Sequence, residues 1–194
     1  MPDTGAPWNI PYVAGTDLVS DWPTDSQTLA EAIADGLDVA NTFKQIQHTL
    51  KDNTFTTTSA TYVLVTDLEV TITPTSASSK VLVNYSVTVA FQSSTASWFA
   101  SVSLFRDGTN LVVPASISGS STLAAVNHYT GSNQGQWVSQ VISGTFYDSP
   151  ATTSAVTYDI RVAVPGGQTV YVNSPQQTAA SRSVSWITAI EVDA

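Results

Sequence analysis

Residues 81–91, VLVNYSVTVAF, decide the fold class. Val81, Val83, Tyr85, Val87, Val89 and Phe91 fall on one side of an extended chain, and Leu82, Asn84, Ser86, Thr88 and Ala90 on the other. Side chains alternate across a strand with period two, so this pattern describes a half-buried antiparallel strand with one face in a core. The same alternation sets Val156, Tyr158, Ile160, Val162 and Val164 against Thr157, Asp159, Arg161 and Ala163, and it recurs in Val184, Trp186, Thr188, Ile190 and Val192. Arg106-Asp107-Gly108-Thr109 holds Asp-Gly in the hairpin-turn position, and Pro165-Gly166-Gly167 gives a second tight turn. Strands at roughly ten-residue spacing with such turns predict a mainly β chain, a jelly-roll-like antiparallel β-sandwich over about 42–194.

The chain has 194 residues, 42% of them hydrophobic, and a mean hydropathy of +0.07, enough to bury a core. Only 11% are charged, while 25 Ser and 27 Thr supply most of the polarity. Fifteen acidic against six basic residues give a net charge of -9, which leaves no counter-charge for phosphates, so neither nucleic acid nor an anionic membrane is an expected partner. The absence of Cys excludes zinc–thiolate sites, disulfides and thiol catalysis, and two His do not make a multi-histidine metal centre. No metal or cofactor is expected. Met1-Pro2-Asp3 has neither the basic nor the apolar region of a secretory signal, and no apolar run approaches the roughly 18 residues that cross a bilayer. The expectation is synthesis in the cytoplasm without membrane insertion.

The composition changes near residue 41. Asp3, Asp17, Asp21, Asp25, Glu31, Asp35 and Asp38 lie in the first 40 residues without a single Lys or Arg, so this segment carries -7 of the net -9. Pro2, Pro7, Pro11 and Pro23 bias residues 1–24 toward an extended arm, and Trp8, Ile10, Tyr12, Val13, Leu18, Val19 and Trp22 make it too apolar for a linker. Such an arm suits a groove on another protein or a neighbouring subunit. From Thr24 the pattern turns helical, with Thr24 and Gln27 at capping-box spacing and Leu29, Ile33, Leu37 and Ala40 on one face. A helix is predicted over about Ser26 to Ala40, within a 25–41 segment that docks or trimerises. Phe43, Ile46 and Leu50 could extend its apolar stripe, but the β-branched, aromatic and amide side chains of 43–51 favour a strand. An apolar arm, a narrow helix face and a charge-poor sandwich leave more apolar surface than a monomer easily hides. Closure around a threefold is one solution; a helix packed on its own sandwich is the competing one.

Little in the chain points to catalysis. His48 and His128 lie far apart and no G-x-S-x-G turn occurs, Ser118-Gly119-Ser120 reading as loop. Glycoside hydrolysis needs two carboxyls about 5–9.5 Å apart. Of the acids in the β region, Asp107 belongs to a turn, Asp148 precedes Ser149-Pro150, and Asp159 stands two residues from Arg161, each a structural role. Asp67 and Glu69 at i, i+2 would share a strand face but are too few for a firm Ca²⁺ site. Asp17, Asp21 and Asp25 are interrupted by Pro23. The expectation is a protein that is not an enzyme. His128, Tyr129, Asn133 and Trp137, in and around a Gly/Asn/Gln-rich stretch, are candidates for a receptor-facing loop, because aromatic faces stack and amides hydrogen-bond at such tips. The plainer alternative is a surface loop with Trp137 starting a core strand.

The strings ITPTSASSKVLV (72–83), LFRDGTNL (104–111), DSPATTSAVTY (148–158), VYVN (170–173) and ITAIEV (187–192) occur in an order that resembles the β-rich domains of trimeric bacteriophage virion proteins. GAPWNIPYVAGTDLVSDWP (5–23) followed by SQTLAEAIADGLDVA (26–40) is similar to the leading segment of phage minor tail and fibre proteins. The resemblance implies a homotrimeric virion component that contacts other virion proteins and possesses no enzymatic activity. It places Trp8, Ile10, Tyr12, Leu18 and Trp22 against the particle and Leu29, Ile33, Leu37 and Ala40 at the subunit interface. A tail-associated fibre that binds a host-surface glycan or protein is the first reading. The chain has no long shaft between arm and head, which keeps a capsid decoration or head-fibre protein as the close alternative. A cell-surface glycan depolymerase is the alternative from another class.

Overall fold

The computed structural model describes residues 22–40, 43–92, 100–112, 137–164, 168–174 and 182–193. Met1–Thr42 and Phe43–Ala194 form two compact units. The first contains one helix, α1 (Trp22–Ala40). It begins earlier than the capping pattern suggests, so Trp22 and Pro23 belong to the helix and not to the arm. Pro is tolerated in a first turn because its missing N–H would have had no partner there. The Thr28 hydroxyl donates to the Thr24 carbonyl at 2.8 Å and Gln27 Nε2 to Glu31 Oε1 at 2.8 Å, both one turn apart.

Among the described residues the second unit has ten strands: β1 (Phe43–Lys51), β2 (Phe55–Thr57), β3 (Val63–Ile72), β4 (Lys80–Gln92), β5 (Ser101–Arg106), β6 (Thr109–Asn110), β7 (Trp137–Asp148), β8 (Val156–Ala163), β9 (Val170–Val172) and β10 (Ser185–Val192). Residues 43–51 are a strand, as their side chains suggested. All pairings among these strands are antiparallel. The first sheet runs β1-β10-β4-β9-β2 with β7 along the other side of β4, and the second runs β3-β8-β5-β6. The antiparallel β-sandwich is as expected.

At 13 residues, β4 is long enough to change partners. On one side it pairs with β10 from Lys80 to Ser86 and with β9 from Val89 to Phe91, while β7 follows the other side from Val81 to Gln92. Asn173 sits where β9 ends and makes the exchange possible. It is fully buried with φ at 59°, a left-handed conformation that Asn adopts more readily than most residues. Its N–H donates to the Thr88 carbonyl at 3.0 Å, its Nδ2 to the carbonyls of Lys51 at 2.9 Å and Asn53 at 3.2 Å, and its Oδ1 accepts from Ser185 Oγ at 2.6 Å. One side chain thus ties together the ends of β1, β9 and β10.

The core lies between the sheets. Val81, Val83, Val87 and Val89 of β4 meet Val65, Leu68, Val70 and Ile72 of β3, Val102 and Leu104 of β5, and Tyr158, Ile160 and Val162 of β8. Each such side chain, fully buried, contributes about 1.5–3 kcal/mol. The β5–β6 hairpin turns on Asp107 (φ 47°) and Gly108 (φ 82°), two successive positive φ angles as a type I′ turn requires. Asp107 Oδ1 also accepts from the Thr157 N–H at 2.9 Å.

Three details differ from the period-two reading. In β10 the buried residues are Ser185, Ile187, Ala189 and Glu191, so Val184, Trp186, Thr188, Ile190 and Val192 are not the core face. Register is the reason: Ile187 lies opposite Tyr85 and Ala189 opposite Val83, and opposed residues share a face. In β3 the register shifts between Leu64 and Glu69, and Asp67 has φ at 63°. That bulge breaks the alternation between Val65 and Leu68, both buried, and leaves Asp67 and Glu69 both exposed. In β8 both faces are covered, since Asp159 and Ala163 are buried as well as the apolar set. Arg161 lies 4.4 Å over the Phe105 ring, and Tyr62 meets the same ring edge-on at 5.4 Å.

Candidate interaction face

Turning β10 over places its larger side chains on the outer face of the first sheet. Trp186, Thr188 and Ile190 of β10 stand beside Leu50, His48 and Ile46 of β1 on one side and Ser86, Asn84 and Leu82 of β4 on the other. β7 completes the rows with Ser143, Thr145 and Tyr147. An apolar row, Ile46-Ile190-Leu82-Tyr147, therefore runs beside a polar one, His48-Thr188-Asn84-Thr145. Phe43 opposite Val192 extends the apolar side, and Val141 opposite Thr88 continues the far end of β7.

Among the described residues eight large hydrophobic side chains are exposed, and Phe43, Ile46, Leu50, Val141 and Tyr147 belong to this one face. Val184, immediately before β10, is a sixth, and all six are 52–60% exposed. Single exposed hydrophobics need no explanation, but a contiguous set marks a contact surface. Charge stands only at its edges: Lys80 at one corner, whose Nζ donates to Ser149 Oγ at 2.9 Å, and the Lys44–Asp193 ion pair at 3.2 Å beside Phe43 and Val192. The polar row satisfies itself. His48 Nδ1 is 2.8 Å from Thr188 Oγ1, and Thr145 Oγ1 donates to Asn84 Oδ1 at 2.7 Å. The His48 and Trp186 rings lie tilted with centroids 6.2 Å apart. An open depression of about 580 Å³ sits at the centre, lined by Asn84, Tyr85, Ser143, Gly144, Thr145, Trp186 and Thr188.

The carboxylates that chemistry would need are held in other interactions. Asp148 Oδ2 accepts from Arg106 Nη1 at 2.7 Å and from the Tyr158 hydroxyl at 2.6 Å. Burial, with the Asp148 hydrogen bond beside it, pushes the Tyr158 phenol far up, so it stays protonated. Asp159 holds Arg161 through both oxygens, at 2.6 and 3.1 Å, the pairing expected from their spacing. Glu191, fully buried, accepts at Oε2 from Gln45 Nε2 at 2.6 Å and at Oε1 from the Thr75 N–H and hydroxyl, each at 2.7 Å. Burial pushes its pKa up, but the donors from Gln45 and Thr75 outweigh that and hold it at about 2. Lys51 is buried and donates to Asn53 Oδ1, while Asn53 Nδ2 donates to Asp67 Oδ2 at 2.8 Å. Desolvation lowers the Lys51 pKa, against the opposing pull of Asp67 and Asp52. Among the described residues no group of three His, Asp or Glu could hold a metal ion.

Of the residues singled out from sequence, Trp8, Ile10, Tyr12, Leu18, His128, Tyr129 and Asn133 lie outside the described residues. Trp22 opens α1 and Trp137 opens β7, where its backbone pairs with Gln92. On α1, Leu29 is half-buried and Ile33 exposed, while Leu37 and Ala40 belong to its last turn. The structure adds a face that no single stretch of sequence displayed, because its rows come from four strands spread over residues 43–192. Part of the signal was present: Ile46 and Leu50 are four apart, and a strand puts them on one side.

The fold and this face define a charge-poor antiparallel β-sandwich with one apolar outer sheet. No family model matches the sequence, and no curated protein matches it. Among solved structures it is similar to the Eiger TNF from S. frugiperda, at 16% identity and TM-score 0.39, over 78% of this chain and 94% of that one. It is also similar to the protein of infectious bursal virus derived T=1 particles, at 12% identity and TM-score 0.35, over 78% and 37% of the two chains. The T13 viral particle of the same virus gives 13% identity and TM-score 0.31, over 77% and 36%. The chain thus spans little more than a third of those particle proteins. No role or partner is carried from any of them to this chain.

Proposed function

We propose that this protein is a structural component of a phage virion, a homotrimer without enzymatic activity, tail-associated and attached through its N-terminal arm. The observation that carries the reading is the outer face of the first sheet, where six exposed hydrophobic residues gather with charge only at the rim. A protein that lived alone in solution would carry charge there. The order of phage-like strings along the sequence supplies the kind of assembly. Asp148, Asp159 and Glu191 serve the fold, which supports a role in contact rather than in turnover.

In this reading Trp8, Ile10, Tyr12, Leu18 and Trp22 grip the particle, and the sandwich projects toward a host-surface glycan or protein. Labelling the protein on imaged virions tests it. Label at the tail is the expected result; label on the head would make it a capsid decoration protein, and virions without label would overturn the virion role. New reducing ends after incubation with host surface polysaccharide would overturn the non-enzymatic role.

A further inference from the structure

We propose that the outer face of the first sheet is where copies of this chain meet, with β1, β10, β4 and β7 of one subunit packed on a second copy. This rests on the reading of the protein as an assembly component and changes where its subunits join. The helix positions Leu29, Ile33, Leu37 and Ala40 offer one narrow stripe, whereas the sheet face is broad. Four strands about 4.8 Å apart and eight residues long present roughly 500 Å² of sheet plane. With side-chain relief that approaches the roughly 800 Å² per partner of a standard interface.

Charge selects a second copy as the occupant. The chain carries a net -9, of which -7 lies in its first 40 residues. Two acidic molecules meet at least cost where neither has charge. The outer face is that place: Ile46, Leu50, Trp186, Ile190, Val141 and Tyr147 are apolar or aromatic, and Asn84, Thr145, His48 and Thr188 already satisfy one another. A basic partner would find at the edge only Asp193, already paired with Lys44. Around a threefold each copy turns the same rows toward its neighbours and sets charge against them only at the rim.

The test is sedimentation of the full chain across micromolar concentrations, comparing wild type with Ile46→Arg, Val141→Lys, Leu64→Lys and Ile33→Lys. All four sites are exposed, so folding, followed by circular dichroism and thermal melting, is expected to survive. Leu64 lies on the second sheet and serves as a control. The expected result is an oligomeric wild type, association weakened at least about tenfold by Ile46→Arg and by Val141→Lys because each would bury an unpaired charge, and no change with Leu64→Lys. A monomeric wild type overturns the proposal. So does dissociation by Ile33→Lys alone, which would place the junction on α1. Should the face variants unfold, Ile46→Thr and Val141→Thr replace them, with the same outcomes read as weaker shifts. The virion label reports separately: label on virions with a monomeric chain sinks this interface and the trimer and leaves the virion role standing, and the converse sinks the virion role alone.

Discussion

Glu191 shows how a single buried charge is kept in this sandwich. Its carboxylate lies under the sheet edge with three donors on its two oxygens, from Gln45 and Thr75, and its pKa falls from the ordinary 4.5 to about 2. A pKa depressed in the folded state means stability that is fully present above pH 4.5 and lost as pH falls toward 2. The shift corresponds to about 3 kcal/mol. Glu191→Gln should therefore lower the unfolding free energy from urea titration at neutral pH by about that much, since its amide places donors against donors. The gap between wild type and variant should close as pH falls to 2; a constant gap would mean that the charge is not what the donors hold. Gly144 makes a second point at this scale. A Cβ there would lie 2.5 Å from the Tyr85 hydroxyl, so the small residue in the middle of β7 is what lets Tyr85 lie across its partner strand.

At the scale of elements, the partner exchange along β4 depends on Asn173. The residue supplies a left-handed backbone and hydrogen bonds to Thr88, Lys51, Asn53 and Ser185 together. Asn173→Gly keeps the backbone freedom and removes the side-chain bonds; Asn173→Ala removes both. Both should be strongly destabilising, by about 3 kcal/mol or more, because buried carbonyls lose their donors, with Ala worse than Gly by about 1 kcal/mol. Equal losses in chemical denaturation would show that the hydrogen bonds alone matter. The β5–β6 hairpin was legible in advance, since Asp-Gly between extended runs points to positive φ at both positions and both are found. The exchange at Asn173 was not, because nothing local says that β9 and β10 will lie end to end beside one strand. The bulge at Asp67 was equally hidden: one extra residue changes a face without changing the apolar count.

For the whole molecule, the buried core among the described residues runs from Val65 to Ala189, with Phe55 and Val63 packed against it, and the helix belongs to a separate unit. Removing residues 1–42 should leave cooperative thermal unfolding of the sandwich intact. A collapse of the transition on that removal would show that the N-terminal unit holds the sandwich together. The sequence by itself determined the β class, the helix, the change of composition near residue 41, the Asp107–Gly108 turn and the Asp159–Arg161 pair, because each depends on neighbours one to ten positions away. The tertiary structure decided which side of β10 faces the core. Residues 184–192 are apolar on one side and small or polar on the other, and a strand's period of two cannot say which side is buried. Register against Val83 and Tyr85 settled it, seating Ile187 and Ala189 inside with Glu191 on its own donors. Trp186 and Ile190 were thereby left to build the outer face with residues of β1, β4 and β7, about 40 to 140 positions away.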